Sequence, residues 1–198
     1  MKKGLLIALA VIVGIGFMIG SFWGGSYNRL VSGEEAVSSA WAQVQNVYQR
    51  RLDLIPNLVE TVKGYAAHEK ETLEGVVAAR SKATSIQAGA EIVNNPELLK
   101  KFQQSQGELS SAISRLMIVV EKYPDLKANQ NFLTLQTQLE GTENRITVER
   151  MRFNEAAQTF NTLRRQFPTV FIAKLMGFSS KAYFQAEEGA QKAPQVKF

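Results

Sequence analysis

The feature that most constrains this chain is an uncharged apolar run near its N-terminus. From Gly4 to Trp23 the sequence reads GLLIALAVIVGIGFMIGSFW, 20 residues without an acidic or basic side chain. A helix of that length, rising about 1.5 Å per residue, crosses a hydrocarbon core of roughly 30 Å. The run therefore predicts one transmembrane helix with the lipid bilayer as its partner, and we assign residues 1–26 to an N-terminal anchor.

A cleaved signal peptide is the competing interpretation of this run. Lys2 and Lys3 resemble a charged n-region, and the GGS segment at 24–26 resembles a small-residue cleavage site. However, the apolar region of a signal peptide spans only about 7–15 residues. The longer run found here ends in the bulky Phe22 and Trp23, which favours a retained anchor.

The charges that flank the run predict its orientation. Lys2 and Lys3 precede it, whereas Arg29 on the other side is followed by Glu34 and Glu35. Basic residues concentrate on the cytoplasmic side of membrane helices. We therefore expect the N-terminus inside the cell and the domain outside the cytoplasm.

A pair of glycines inside the run offers a possible dimer contact. Gly16 and Gly20 form a G-x-x-x-G pair, a spacing that lets two helix backbones approach closely. The run holds four glycines, so the same spacing also arises easily by chance. Both interpretations stay open, and the first predicts a homo-oligomer.

Beyond the run, apolar residues recur at steps of three and four, which is the period of amphipathic helices. Pro56 interrupts the first such stripe and predicts a kink or a helix restart. Further helix starts are predicted at Asn95-Pro96 and at Pro124-Asp125. Short turns between long helices predict an all-α fold, an elongated antiparallel up-and-down helical bundle over residues 27–168.

The C-terminal segment, residues 169–198, differs in composition from the helices before it. It is rich in aromatic residues up to position 184 and polar afterwards. One interpretation is a cap over the end of the bundle. The other is an exposed apolar patch for a partner or the lipid surface, with these candidate residues: Phe171, Phe178, Tyr183 and Phe184.

A set of polar residues lies within the apolar stripes of the predicted helices. A solvated face with local ion pairs is one interpretation. The other is that opposite charges meet across the bundle and fix its alignment. The candidate residues are Arg50, Arg51, Asp53, Asn57, Lys63, His68, Glu69, Glu143, Asn144 and Arg145.

Motifs that would indicate catalysis or a cofactor do not occur in the sequence. The chain has no cysteine, and its one histidine, His68, lacks the partner that a zinc-binding helix needs. No serine lies in a G-x-S-x-G elbow, and no glycine-rich phosphate loop is present. We therefore expect no catalytic residue, no metal site and no cofactor.

The charge balance argues against a nucleic-acid partner. The formal net charge is +5, and two of these charges belong to Lys2 and Lys3. The 21 basic and 18 acidic residues after the run leave an excess of +3, which is small and scattered along the chain.

Several blocks of sequence resemble the LemA family of bacterial membrane-anchored proteins. These blocks are YNRLV at 27–31, AWAQVQNVYQRRLDLIPNLVETVKGYAAHE at 40–69, YPDLKANQNFLTLQTQLEGTENRITVER at 123–150 and FNEAAQTFNTLRRQFP at 153–168. The resemblance implies a helical bundle behind a single span, and it implies no particular reaction. Phe153-Asn154 stands where the family pattern suggests Tyr-Asn, and the C-terminal VKF lacks an expected acidic residue.

Three functions remain open at this point. The leading expectation is a non-enzymatic scaffold of the bacterial cell envelope at the inner membrane, self-associating and bound to an unidentified envelope protein. The second is a signal-transducing helix relay. The third is a hydrolase with an unfamiliar carboxylate pair, formed by Glu69 with Glu143 or Glu149.

Overall fold

The structure, a computed structural model, describes residues 2–86 and 89–185. Its longest element is helix α1, Lys2–Lys63, which is 62 residues long and therefore roughly 93 Å in length. The apolar run forms the first third of α1 and lies outside the bundle. Among the described residues, α1 is the one helix that is long and apolar enough to cross a membrane, by length and composition.

The rest of the described chain is also helical, which confirms the all-α prediction. No strand occurs in residues 2–86 or 89–185. The remaining elements are α2 Lys70–Ser85, a 3₁₀ helix Ala90–Asn94, α3 Pro96–Val120, α4 Pro124–Lys127, α5 Gln130–Arg165 and α6 Thr169–Leu175.

The main packing contact is between α1 and α5, which run antiparallel. The Arg51 side chain meets Glu143, and the ring centroids of Trp41 and Phe153 lie 5.4 Å apart. Nearer the apolar run, Gly33 faces Phe160 so closely that a Cβ on Gly33 would lie 3.2 Å from its ring. Helices α2 and α3 pack against each other, and α2 also contacts α1, which completes the bundle.

Side-chain caps explain where two of the helices begin. The Asn95 side chain accepts hydrogen bonds from the backbone N–H groups of Glu97 and Leu98, so α3 starts at Pro96 as predicted. The start predicted at Pro124 produces only the single turn α4. Helix α5 begins at Gln130 instead, because the Asn129 side chain accepts from the backbone N–H of Phe132 at 3.0 Å.

Pro56 does not restart α1, contrary to one of the two expectations for this position. The helix continues to Lys63, although Pro56 has no N–H to donate to the carbonyl of Leu52 one turn earlier. The Nε–H of Arg80 on α2 donates to that carbonyl at 2.9 Å. A side chain from the neighbouring helix thus replaces the bond that proline removes.

The bundle has two separate hydrophobic clusters along its length. The proximal core, nearer the apolar run, is centred on Trp41, whose ring contacts Phe102, Phe153 and Phe184. The distal core includes Ile55 and other residues from α1 to α5. The buried Arg51 lies in α1 between the two clusters.

Candidate functional site

The buried Arg51 connects three helices at mid-bundle. Only 2% of its side chain is exposed. Its Nη1 donates to Ser110 Oγ and to Glu143 Oε2, both at 2.9 Å. Its Nη2 donates to the carbonyl oxygen of Gln106 at 3.3 Å and to the side-chain oxygen of the same residue. We call these four residues the polar layer.

Electrostatics explain why the polar layer needs Glu143. A buried guanidinium is costly unless a counter-charge and hydrogen-bond acceptors surround it. Glu143 supplies the charge while 54% of its own side chain stays exposed to water. The Nε of Arg51 has no hydrogen-bond partner within the described residues, so one donor of the layer is unused.

Tyr48 covers one side of the polar layer. The guanidinium carbon of Arg51 lies 5.1 Å from the centroid of the Tyr48 ring, a cation–π contact. Burial raises the pKa of the Tyr48 phenol above its ordinary value, and the charges of Arg150 and Arg51 only partly oppose this. Tyr48 is therefore a neutral phenol at physiological pH.

A groove between α3 and α5 opens beside the polar layer. Its volume is about 350 Å³, and its walls are mostly apolar. The lining includes Ile113 and Met117 from α3, Leu139 from α5, and the polar layer residues Arg51, Ser110 and Glu143. Within the described residues, no three His, Asp or Glu side chains are grouped closely enough to hold a metal ion.

Most of the predicted polar cluster does not meet across the bundle. Arg51 and Glu143 form the cross-bundle pair. The following members of the cluster are exposed: Arg50, Asp53, Asn57, Lys63, His68, Asn144 and Arg145. Asp53 accepts a bond from Gln49 on its own helix, and Lys63 pairs with Glu60 one turn away.

The structure gives the carboxylates suggested for a hydrolase three different partners. Glu69 lies in the distal turn, where it accepts a hydrogen bond from Tyr123 Oη at 3.0 Å. Glu143 is at mid-bundle against Arg51, and Glu149 pairs with Arg152 on α5. These carboxylates have different partners in different places and form no shared site.

The C-terminal segment is held in a way that the sequence patterns did not predict. Residues 178–185, which we call the strap, have no regular secondary structure and run back along α5. The Asn161 side chain donates to the carbonyl of Lys181 and accepts from its N–H, both at 2.9 Å. Asn154 forms the same two bonds with Phe184. The available signal was two asparagines seven residues apart within an apolar stripe.

Lys181 anchors the middle of the strap inside the bundle. Its side chain is only 2% exposed, and Nζ donates to Glu34 on α1 and to Asn94 Oδ1. The backbone N–H of Ala182 donates to the carbonyl of Val93 at 2.8 Å. The strap therefore ties α1, α5 and the 3₁₀ helix together.

The predicted aromatic patch is divided between the core and the surface. Phe184 is buried and Phe178 packs partly against the proximal core, so neither belongs to an exposed patch, contrary to that expectation. Their backbone bonds to the bundle turn both rings inward. Phe171 and Tyr183 remain exposed, and residues 186–198 lie outside the described part of the chain.

The glycine pair of the apolar run lies in open space in the single chain. A Cβ added at Gly16 or at Gly20 would meet nothing within 4 Å. The dimer contact suggested for these residues stays a prediction.

These observations define a class of protein, an elongated all-helical bundle that continues from one helix long and apolar enough to cross a membrane. A sequence model described as LemA family matches residues 40–198. The chain belongs to the LemA family.

Relatives from bacteria support the same grouping. Magnetosome protein MamQ 2 of Paramagnetospirillum magneticum is 27% identical over 186 residues, covering 86% of this chain and 68% of that protein. Magnetosome protein MamQ of Magnetospirillum gryphiswaldense is 26% identical over 208 residues, covering 97% and 75%. Protein LemA of Metamycoplasma hominis is 27% identical over 164 residues, covering 83% and 71%.

Proposed function

We propose that this protein is a non-enzymatic scaffold, anchored by residues 1–26 in the inner membrane of a bacterial cell with its bundle outside the cytoplasm. The observation that carries the proposal is the continuity of α1, which runs without a break from the apolar run to Lys63. A continuous helix places the distal end of the bundle roughly 60 Å beyond the run. LemA family membership and the likeness to the MamQ proteins support a membrane-associated, non-enzymatic role.

The scaffold acts through exposed polar residues on the distal half of α1. Asn57 and Thr61 of α1 line a shallow groove with Asn131 and Thr134 of α5. Because this surface is polar and open, it suits contact with an envelope protein that also exists free in solution. Gly16 and Gly20 supply a second contact, between anchors of two copies.

Photo-crosslinking in native membranes tests this proposal. A photoreactive amino acid at Asn57 is expected to give discrete adducts, with an envelope protein or with a second copy. The same probe at Thr159, exposed on α5 near the apolar run, is the matched control and is expected to give none. A lack of adducts at both sites, with a strictly monomeric protein after extraction, contradicts the scaffold.

A signal-transducing relay is the second candidate, and the same continuity favours it. A displacement of α1 within the membrane would reach the polar layer at Arg51 through an unbroken helix. Three glycines inserted between Gly25 and Ser26 would uncouple the anchor from the bundle while keeping both. A relay loses its response in this variant, whereas a scaffold keeps its crosslinks at Asn57.

A further inference from the structure

An exposed apolar surface lies at the end of the bundle nearest the apolar run. It consists of Phe167, Phe171, Leu175 and Met176, and we call it the α6 patch. Phe167 is 81% exposed and Leu175 is 71% exposed, and the rings of Phe167 and Phe171 touch edge to face with centroids 5.9 Å apart.

The α6 patch faces away from the core. Phe171 and Leu175 are four apart on α6 and so share one helix face, and the Phe167 ring packs against Phe171, whereas Ile172 and Ala173 are buried against the bundle. Gly177, with a φ of +77°, ends the helix and turns the chain into the strap. The packing of α6 therefore does not require the exposed side chains.

The antiparallel packing of α1 and α5 locates the patch along the bundle axis. Contacts of Glu143 with Arg51 and of Phe160 with Gly33 show that each step forward on α5 matches one step back on α1. Continued at the same rise to the end of α5, this pairing places Arg165 level with about residue 28, and Phe167 follows two residues later in the chain. The rings of Tyr27 and Phe178, with centroids 5.9 Å apart, confirm that this end of α1 and the chain after α6 are adjacent.

The patch thus lies beside the point where α1 leaves the apolar run at Trp23. The elements that meet at this end each carry an exposed basic residue: Arg29 on α1, Arg165 at the end of α5 and Lys174 on α6. Apolar side chains bordered by basic ones are typical of segments that lie in the interface of a bilayer with anionic headgroups.

We propose that the α6 patch inserts into the interfacial layer of the bilayer that the anchor crosses, with Arg29, Arg165 and Lys174 against the headgroups. The inference rests on the proposed membrane anchoring and adds a second point of contact. A bundle held by one helix alone can swivel about it, whereas two contacts fix the tilt of the bundle. The distal surface is then presented at a defined angle as well as a defined height.

Depth measurement by electron paramagnetic resonance tests the proposal on the full chain in nanodiscs of mixed anionic and zwitterionic phospholipid. The chain has no cysteine, so each introduced cysteine carries the only spin label. The labelled variants are L175C in the patch, F17C in the run, and I118C on α3 as the control. The exposed fraction of Ile118, 67%, is similar to that of Leu175, but Ile118 lies toward the distal end of α3.

The label at position 175 is expected to collide more often with oxygen, which concentrates in lipid, than with a water-soluble nickel complex. The label at position 17 is also expected to collide more often with oxygen, at greater depth. The label at position 118 is expected to collide more often with the nickel complex. A label at 175 that behaves like the one at 118 overturns the inference alone, as does one shielded from both reagents by a second protein. A label at 17 that is open to nickel overturns the membrane anchoring itself.

Discussion

Replacing Arg80 with methionine tests how α1 tolerates a proline in its interior. The variant keeps most of the aliphatic stem of Arg80 but removes the Nε–H that bonds the Leu52 carbonyl at 2.9 Å. This carbonyl has no helical donor, because residue 56 is proline. An acceptor left unpaired in a partly buried interface costs about 1–3 kcal/mol, so the free energy of unfolding should fall by that amount.

The same change in a Pro56→Ala background separates the hydrogen bond from packing. Alanine restores an N–H at position 56 that can donate to Leu52, so Arg80→Met should then cost only about 0.5 kcal/mol of packing. The difference between the two backgrounds is the coupling energy, expected at about 1–2 kcal/mol.

Denaturant unfolding of the four proteins in matched detergent, followed by circular dichroism, measures this coupling. Pro56→Ala alone should raise the free energy of unfolding, because proline in a helix interior is costly. An equal loss from Arg80→Met in both backgrounds would show that the hydrogen bond from Arg80 to the Leu52 carbonyl contributes no measurable stability. Arg80 would then stabilise the bundle by contact area alone.

Three further predictions follow from the site. Glu143→Gln should lower the free energy of unfolding by about 1–2 kcal/mol, because it removes the counter-ion of the buried guanidinium. The control Glu140→Gln, on the exposed face, should change it by under about 0.5 kcal/mol. Chemical denaturation of the two variants measures both changes. Asn161→Ala should lower the free energy of unfolding by about 1–3 kcal/mol, because it leaves buried backbone groups of the strap unpaired. Asn144→Ala, at an exposed position, is the control in the same assay. Burial raises the pKa of Tyr48 in the folded state. The contribution of Tyr48 to the free energy of unfolding should therefore be constant below about pH 10 and fall as pH rises through the folded-state pKa. Tyr48→Phe should flatten that alkaline decline.

Features that depend on nearby residues could be read from the sequence. The length of the apolar run requires a long helix, and the Asn95-Pro96 pair defines a helix start through a side chain two residues from its partner. Trp41 and Tyr48 belong to the first apolar stripe, which Pro56 interrupts, and both are buried as that stripe predicts.

Features that depend on distant residues could not be read in this way. The passage of α1 through Pro56 depends on Arg80, which is 28 residues from the carbonyl that it bonds. Arg50 and Arg51 are adjacent residues of the same type, but successive side chains of a helix point in different directions. Arg50 is therefore exposed to water, whereas Arg51 is buried inside the bundle. The strap is held by Asn154 and Asn161, which lie 30 and 20 residues from the backbone groups that they bond.

Single-cysteine labelling tests the claim, proposed above, that one retained helix holds the bundle outside the cytoplasm. A cysteine replacing the exposed His68 at the distal end should react with a membrane-impermeant maleimide on intact spheroplasts, while a cysteine inserted after Met1 should react only after permeabilisation. Labelled protein should remain in the membrane after alkaline carbonate washing. The reverse labelling pattern, or release of the His68→Cys protein as a soluble fragment that lacks the run, would contradict the claim.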